Sequence, residues 1–181
     1  MAGRRIEMRE LAAELGVNRA TLFRWVGSRD ELLGEILWSL AEPTLTAAVQ
    51  ASVGNGAQRI TGAVGRFATL LDRADYLREF LRREPERALR ILTTRAGTVQ
   101  ARLVSAIDAL LNDEVSAGNL RLPLPPREMA YLIVRIVESF LYAEFITGEE
   151  PDIVMAELAI GVLLGRENPD DNEGGAGQHS W

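Results

Sequence analysis

The sequence predicts an all-α protein built as a small head joined to a larger body, on three observations. Apolar residues recur every three or four positions along nearly the whole chain, the spacing that lays a stripe along one side of an α-helix. Most boundaries between these stretches carry glycine or proline, which stop helices and form turns. No run alternates apolar and polar residues in the manner of a half-buried strand.

Taken in chain order, the pattern predicts helices at 7–15, 18–26, 29–52, 57–73, 75–83, 85–94, 97–117, 126–147 and 152–165. The breaks fall at Gly16-Val17, Gly27-Ser28, Gly54-Asn55-Gly56, Glu84-Pro85, Gly118-Asn119, Pro123 to Pro126 and Gly148 to Pro151. Asn18 is placed to cap the second helix, and Ser28-Arg29-Asp30-Glu31 fits the S-x-x-E capping box that opens the third. Pro43 lacks an amide donor, so a kink is expected within the third helix. Residues 1–37 form the predicted head, 38–166 the body, and 167–181, polar and glycine-rich, a disordered tail.

Composition narrows the function. The 181 residues, 47% hydrophobic and 25% charged, suit a globular protein. No apolar run approaches the roughly 18 to 20 residues that cross a bilayer, and the N-terminus lacks a secretory h-region, so a cytoplasmic protein is expected. With no cysteine, and a single histidine, His179, in the glycine-rich tail, thiolate and most metal chemistry lose their usual ligands. No metal, no cofactor and no catalytic residue is expected. The carboxylates of Glu138 and Glu144, six residues apart on one helix, point to different faces and make a poor acid–base pair. An enzyme is therefore disfavoured.

Charge is distributed unevenly. Residues 1–29 hold six arginines and three acids, whereas 30–181 hold fourteen arginines and 23 acids. A basic head on an acidic body indicates where a polyanion docks. Within the head, Ala12, Gly16 and Leu22 fall at offsets of four and six, supplying the small residue, the turn and the inward apolar residue of a helix-turn-helix. Leu11, Leu15, Val17 and Val26 complete its small core. The face away from Leu22 presents Arg19, Thr21 and Arg24, as a recognition helix does to a major groove. The first amides of the next helix, with Arg29, could hold a phosphate.

The stretch from Gly16 to Asp30, Gly-Val-Asn-Arg-Ala-Thr-Leu-Phe-Arg-Trp-Val-Gly-Ser-Arg-Asp, resembles the DNA-binding head of the TetR family of bacterial regulators. The likeness covers roughly residues 8–37. "RWVGSRDELLGEILWSL" and "ESFLYAEFITGEEPD" are similar to a branch of that family that includes a regulator of quorum-signal lactone degradation. The resemblance implies DNA contacts from Asn18, Arg19, Thr21, Phe23, Arg24, Trp25, Ser28 and Arg29. Phe23 and Trp25 stand where the family has tyrosine and histidine, which shifts phosphate binding toward arginine. Only MAGRRIE precedes Met8, so the family's first helix has no counterpart, and either a later start than the natural one or a loosely folded head is expected.

The resemblance also implies a homodimer through the last two helices, reading a palindromic operator in double-stranded DNA. Ile153, Ala156, Ala159, Ile160, Leu163 and Leu164 are the residues expected at that interface, and a buried core helix is the other reading of the same pattern. A small-molecule effector pocket is implied as well, lined by Trp38, Phe67, Tyr76 and Phe80 against Phe140, with Arg135, Ser139 and Tyr142 as polar groups. An Arg135–Glu138 pair that merely fixes the bundle is the plainer account of those two charges. The expected function is a repressor relieved by a small, mainly apolar effector. The rival is a dimeric ligand-binding protein whose truncated head no longer binds DNA.

Overall fold

The computed structural model describes residues 7–95 and 97–165. Among them lie ten helices and no strand: α1 (Met8–Glu14), α2 (Arg19–Val26), α3 (Arg29–Gln50), α4 (Gly56–Asp72), α5 (Asp75–Arg83), α6 (Pro85–Thr93), α7 (Val99–Ser116), α8 (Pro126–Leu141), α9 (Ala143–Ile146) and α10 (Ile153–Gly165). The tail expected over 167–181 lies outside the described residues, as do residues 1–6.

Local chemistry accounts for the start of the chain. Asn18 Oδ1 accepts from the Thr21 amide at 2.8 Å, satisfying one of the donors a helix start leaves open. Ser28 Oγ accepts from the Glu31 amide at 3.1 Å while Glu31 Oε2 accepts from the Ser28 amide at 2.6 Å, a complete capping box. The turns before these caps run through Gly16 at φ 66° and Gly27 at φ 69°, where L side chains are strained. At Gly27 a Cβ would also stand 1.8 Å from the capping carboxylate of Glu31, so the capping box itself requires glycine there.

Two apolar cores result. Met8, Ala12 and Leu22 are buried together, with Leu11, Val17, Phe23, Val26 and Leu32 packed on them. The larger core joins α3 through α8 with α10 and begins on α3 at Leu33. Its closest partnerships are α7 with α8, α3 with α4, and α10 with both α4 and α8. On α4 the stripe Ile60, Ala63, Val64, Phe67, Ala68 and Leu71 is buried throughout, each large side chain contributing roughly 1.5–3 kcal/mol.

Two expectations are corrected, at Tyr142 and on α10. The predicted helix 126–147 is broken at Tyr142 (φ −103°, ψ 17°), so α8 ends at Leu141 and a single turn, α9, follows. α3 runs through Pro43 as one helix, with one carbonyl left without its bond by the missing amide. On α10, Ala156, Ile160 and Leu164 are buried inside the protomer and Ile153 and Leu163 pack against its core, so these do not form an outward face. The helix is apolar all round, and its outward side is Val154, Met155, Leu158 and Val162, between 45% and 78% exposed. No helix among the described residues is long and apolar enough to cross a membrane.

One buried carboxylate holds two distant segments together. Asn55 precedes α4 but makes no side-chain cap; Glu114 of α7, 3% exposed, takes its place. It accepts from the Gly56 amide at 2.6 Å and from Asn119 Nδ2 at 3.1 Å, and pairs with Arg59. An anion at a helix N-terminus is favoured by the helix dipole. The Gly56 amide first, and Arg59 next, hold the Glu114 carboxyl below its ordinary 4.5. Its contribution is therefore present above that pH and lost as acid protonates the folded state. Glu114→Ala is expected to cost about 2–3 kcal/mol in urea unfolding at neutral pH, and the gap to the parent protein should narrow on acidification below 4.5.

Candidate functional sites

The head presents one face of α2 outward. Leu22 is 1% exposed and fixes the roll of the helix, whereas Trp25 is 61% exposed and Arg19 and Arg24 are exposed beside it. The Arg19 guanidinium stands over the Phe23 ring, 5.1 Å from its centre, a cation–π contact that stiffens a long side chain. Thr21 and Phe23 are half-buried. Asn18 and Ser28, named for DNA contact, spend a side-chain oxygen on caps.

Arg29, named for DNA contact, is paired within the protein. Its two terminal nitrogens reach both oxygens of Glu84, at 2.9 Å and 2.7 Å, the bidentate geometry that suits guanidinium and carboxylate. Glu84 also pairs with Arg87, and Asp30 pairs with Arg90 and Arg87. The Arg87 Nε lies 3.1 Å from Asp30 Oδ1 but makes no hydrogen bond. This five-residue cluster binds the first turn of α3 to α6. The sequence reading missed Glu84, Arg87 and Arg90, although the spacing of the two arginines, one helical turn apart after Pro85, offered a signal.

In the body, Trp38, Phe67, Tyr76 and Tyr142 are brought together around one internal cavity, walled otherwise by Leu37, Leu92, Val99, Leu103 and Val137, with Glu138 at one side. Its volume is about 30 Å³, room for about one water. Leu71, Tyr76, Leu77, Leu141 and Tyr142 also line an open groove of about 750 Å³ between α5 and the α8–α9 break, so cavity and groove share these five residues. Phe80 packs against the main core away from the cavity. Phe140 and Ser139 do not line it, which corrects the expectation that Phe140 faces the other aromatics. The Ser139 hydroxyl instead donates to the Ile136 carbonyl at 2.7 Å.

Glu138, 6% exposed, is the polar centre of this region. Arg135 donates to its Oε2 at 2.7 Å and to the Thr93 carbonyl at 3.2 Å, so Arg135, 47% exposed, ties the carboxylate to the end of α6. Gln100 reaches both carboxylate oxygens at 3.3 Å. Burial pushes the Glu138 carboxyl up to about 7, with Arg135 and Gln100 pulling it back only in part. Burial first, then the charges of Glu138 and Tyr76, raises the Tyr142 phenol, and burial alone raises Tyr76. Both phenols thus keep their protons and retain a donor hydroxyl.

A helix-turn-helix head with an outward arginine face, carried on an all-helical body that encloses a cavity, is the architecture of a one-component DNA-binding regulator. Residues 55–165 match the family described as tetracyclin repressor-like, C-terminal domain, and the chain belongs to the TetR family of transcriptional regulators. It is similar to the R. erythropolis transcriptional repressor QsdR, at 34% identity over 90% of this chain and 87% of that one, with a TM-score of 0.82. A putative TetR-family regulator from Rhodococcus sp. shares the fold, at 18% identity, 88% coverage of each chain and a TM-score of 0.53. No match is found among curated protein sequences.

Glu138 has a checkable signature. The folded protein retains a proton that the unfolded chain releases above 4.5, so its burial makes stability fall as pH rises from there to about 7 and stay level beyond. Arg135 and Gln100 bond it, and the Tyr142 phenol lies close enough to feel its charge. Glu138→Gln should remove that decline, so melting temperatures of variant and parent, compared between about pH 5 and about pH 8, should diverge in favour of the variant. Parallel curves would place the titration elsewhere.

Proposed function

We propose that the protein is a transcriptional repressor that binds a palindromic operator as a homodimer and is released by a small, mainly apolar effector. The observation that carries this is α2, where burial of Leu22 turns Arg19, Arg24 and Trp25 outward together. In a major groove, such arginines contact guanine edges or phosphates. Repression, and action in the cytoplasm where DNA is, are inferred by analogy with the 34%-identical relative described as a repressor.

Dimerisation is supported by the outward apolar side of α10, with Tyr131 (50% exposed) and Leu132 (36% exposed) on neighbouring α8. Exposed apolar side chains gathered on one helix in this way are what a second copy covers. A two-fold pair sets two recognition helices about one DNA turn apart.

The effector reading rests on the cavity bounded by Trp38, Phe67, Tyr76 and Tyr142 and on the residues it shares with the α5 groove. At about 30 Å³ the cavity must open to admit a ligand, so binding and a change of body shape come together. An effector that favours the opened body weakens operator binding by the factor by which DNA weakens effector binding. Apolar walls with phenol donors at one side suit an amphipathic neutral molecule, and a lactone or acyl signal is the class that the branch resemblance suggests.

Binding of the purified protein to duplex fragments flanking its own gene, at two salt concentrations, tests this reading. Arg24→Ala should weaken binding about tenfold and reduce the salt slope by about one unit. Loss of no affinity, or no specific binding by the parent chain, would favour the DNA-silent ligand-binding dimer. Separately, Leu158→Glu, at an outward α10 position, should yield monomers in sedimentation with helical content unchanged, and lose operator binding with the second half-site contact.

A further inference from the structure

We propose that Glu84 and Asp30 are positioning residues for the head, whose orientation on the body is set by the charged cluster they form with Arg29, Arg87 and Arg90 instead of by apolar packing. The two apolar cores are separate, and the body's apolar hold on α3 begins at Leu33. α1 packs on α2, and α2 on α3. Immediately before Leu33, the first turn of α3 is joined to α6 by the bidentate Arg29–Glu84 pair and by Asp30 with Arg87 and Arg90.

The cluster is suited to this work. The side chains of Arg29, Glu84 and Asp30 are 15%, 19% and 20% exposed, so their attraction is screened less than that of a surface pair. Two anions shared among three guanidiniums form a network in which each carboxylate has two cationic partners. A planar bidentate pair fixes direction as well as distance. With the cluster neutralised, residues 29–32 are free to fray, and α1 and α2 move with them. Arg29 then serves operator binding from a distance, by aiming α2, while its own guanidinium faces Glu84.

The chain contains no cysteine, so Ala13→Cys on α1 and Ala101→Cys on α7, both exposed, provide two unique spin-label sites. Their distance distribution is measured by pulsed electron resonance, with labelled protein diluted in unlabelled chain so that only pairs within one protomer count. Glu84→Gln with Asp30→Asn should broaden the distribution at least about twofold, and about 1 M salt should broaden the parent's in part. Operator affinity of the double variant should fall about tenfold at unchanged helical content. Should the double variant not fold, Glu84→Gln alone and the salt series on the parent give the same reading.

Distributions that stay narrow in both the variant and high salt overturn the proposal. So does tighter operator binding by the variant, which would mean that Glu84 withholds Arg29 from phosphate. The affinity arm rests on the proposed DNA-binding function, whereas the distance arm needs no DNA, so the two readings fail separately.

Discussion

Leu32 and Leu33 are neighbours on one helix and pack into different apolar cores. Successive side chains on an α-helix point about 100° apart, so α3 can serve two cores only by turning from one to the other within a residue. The junction of head and body is built on that shared helix. The capping box at Ser28 and Glu31 fixes where it begins, the charged cluster fixes its first turn to α6, and the larger core fixes the remainder. Among the described residues the two apolar cores meet only through this helix, so the head's orientation rests on few contacts.

The polar groups of the body sit where adjustment would matter. Glu138 faces the cavity and is bonded through Arg135 to the last residue of α6, and Leu92 of the same helix forms part of the cavity wall. The other half of α6 carries Arg87 and Arg90, which meet Asp30. One nine-residue helix therefore touches both the cavity and the start of the head. Beside the cavity Glu138 is met by Arg135 and Gln100, so this buried carboxyl has its partners inside the protein.

Much of the fold was legible in the sequence because helix punctuation is local. Asn18, the Ser28–Glu31 box, and the prolines at 85 and 126 mark helix starts within a residue or two of where they occur. The break at Tyr142 carried no glycine or proline and was not legible. On α10, apolar residues on every side erase the periodicity that tells the inward face from the outward one, so Ile160 and Leu164 were assigned outward although they are buried. In the candidate sites, Trp38, Phe67, Tyr76 and Tyr142 converge, whereas Phe140 and Ser139 do not. The Arg29–Glu84 contact spans 55 positions, and no local pattern announces a pair that distant in sequence.

In the proposed function, α2 is a DNA-reading helix in a two-fold dimer. Selection of bound duplexes from a random pool by the purified protein tests that directly. The expected result is enrichment of an inverted repeat whose half-sites are centred about 10 base pairs apart, or a multiple of that spacing, with enrichment lost in Arg24→Ala. Retention of no sequence above background by a folded, dimeric protein would contradict it.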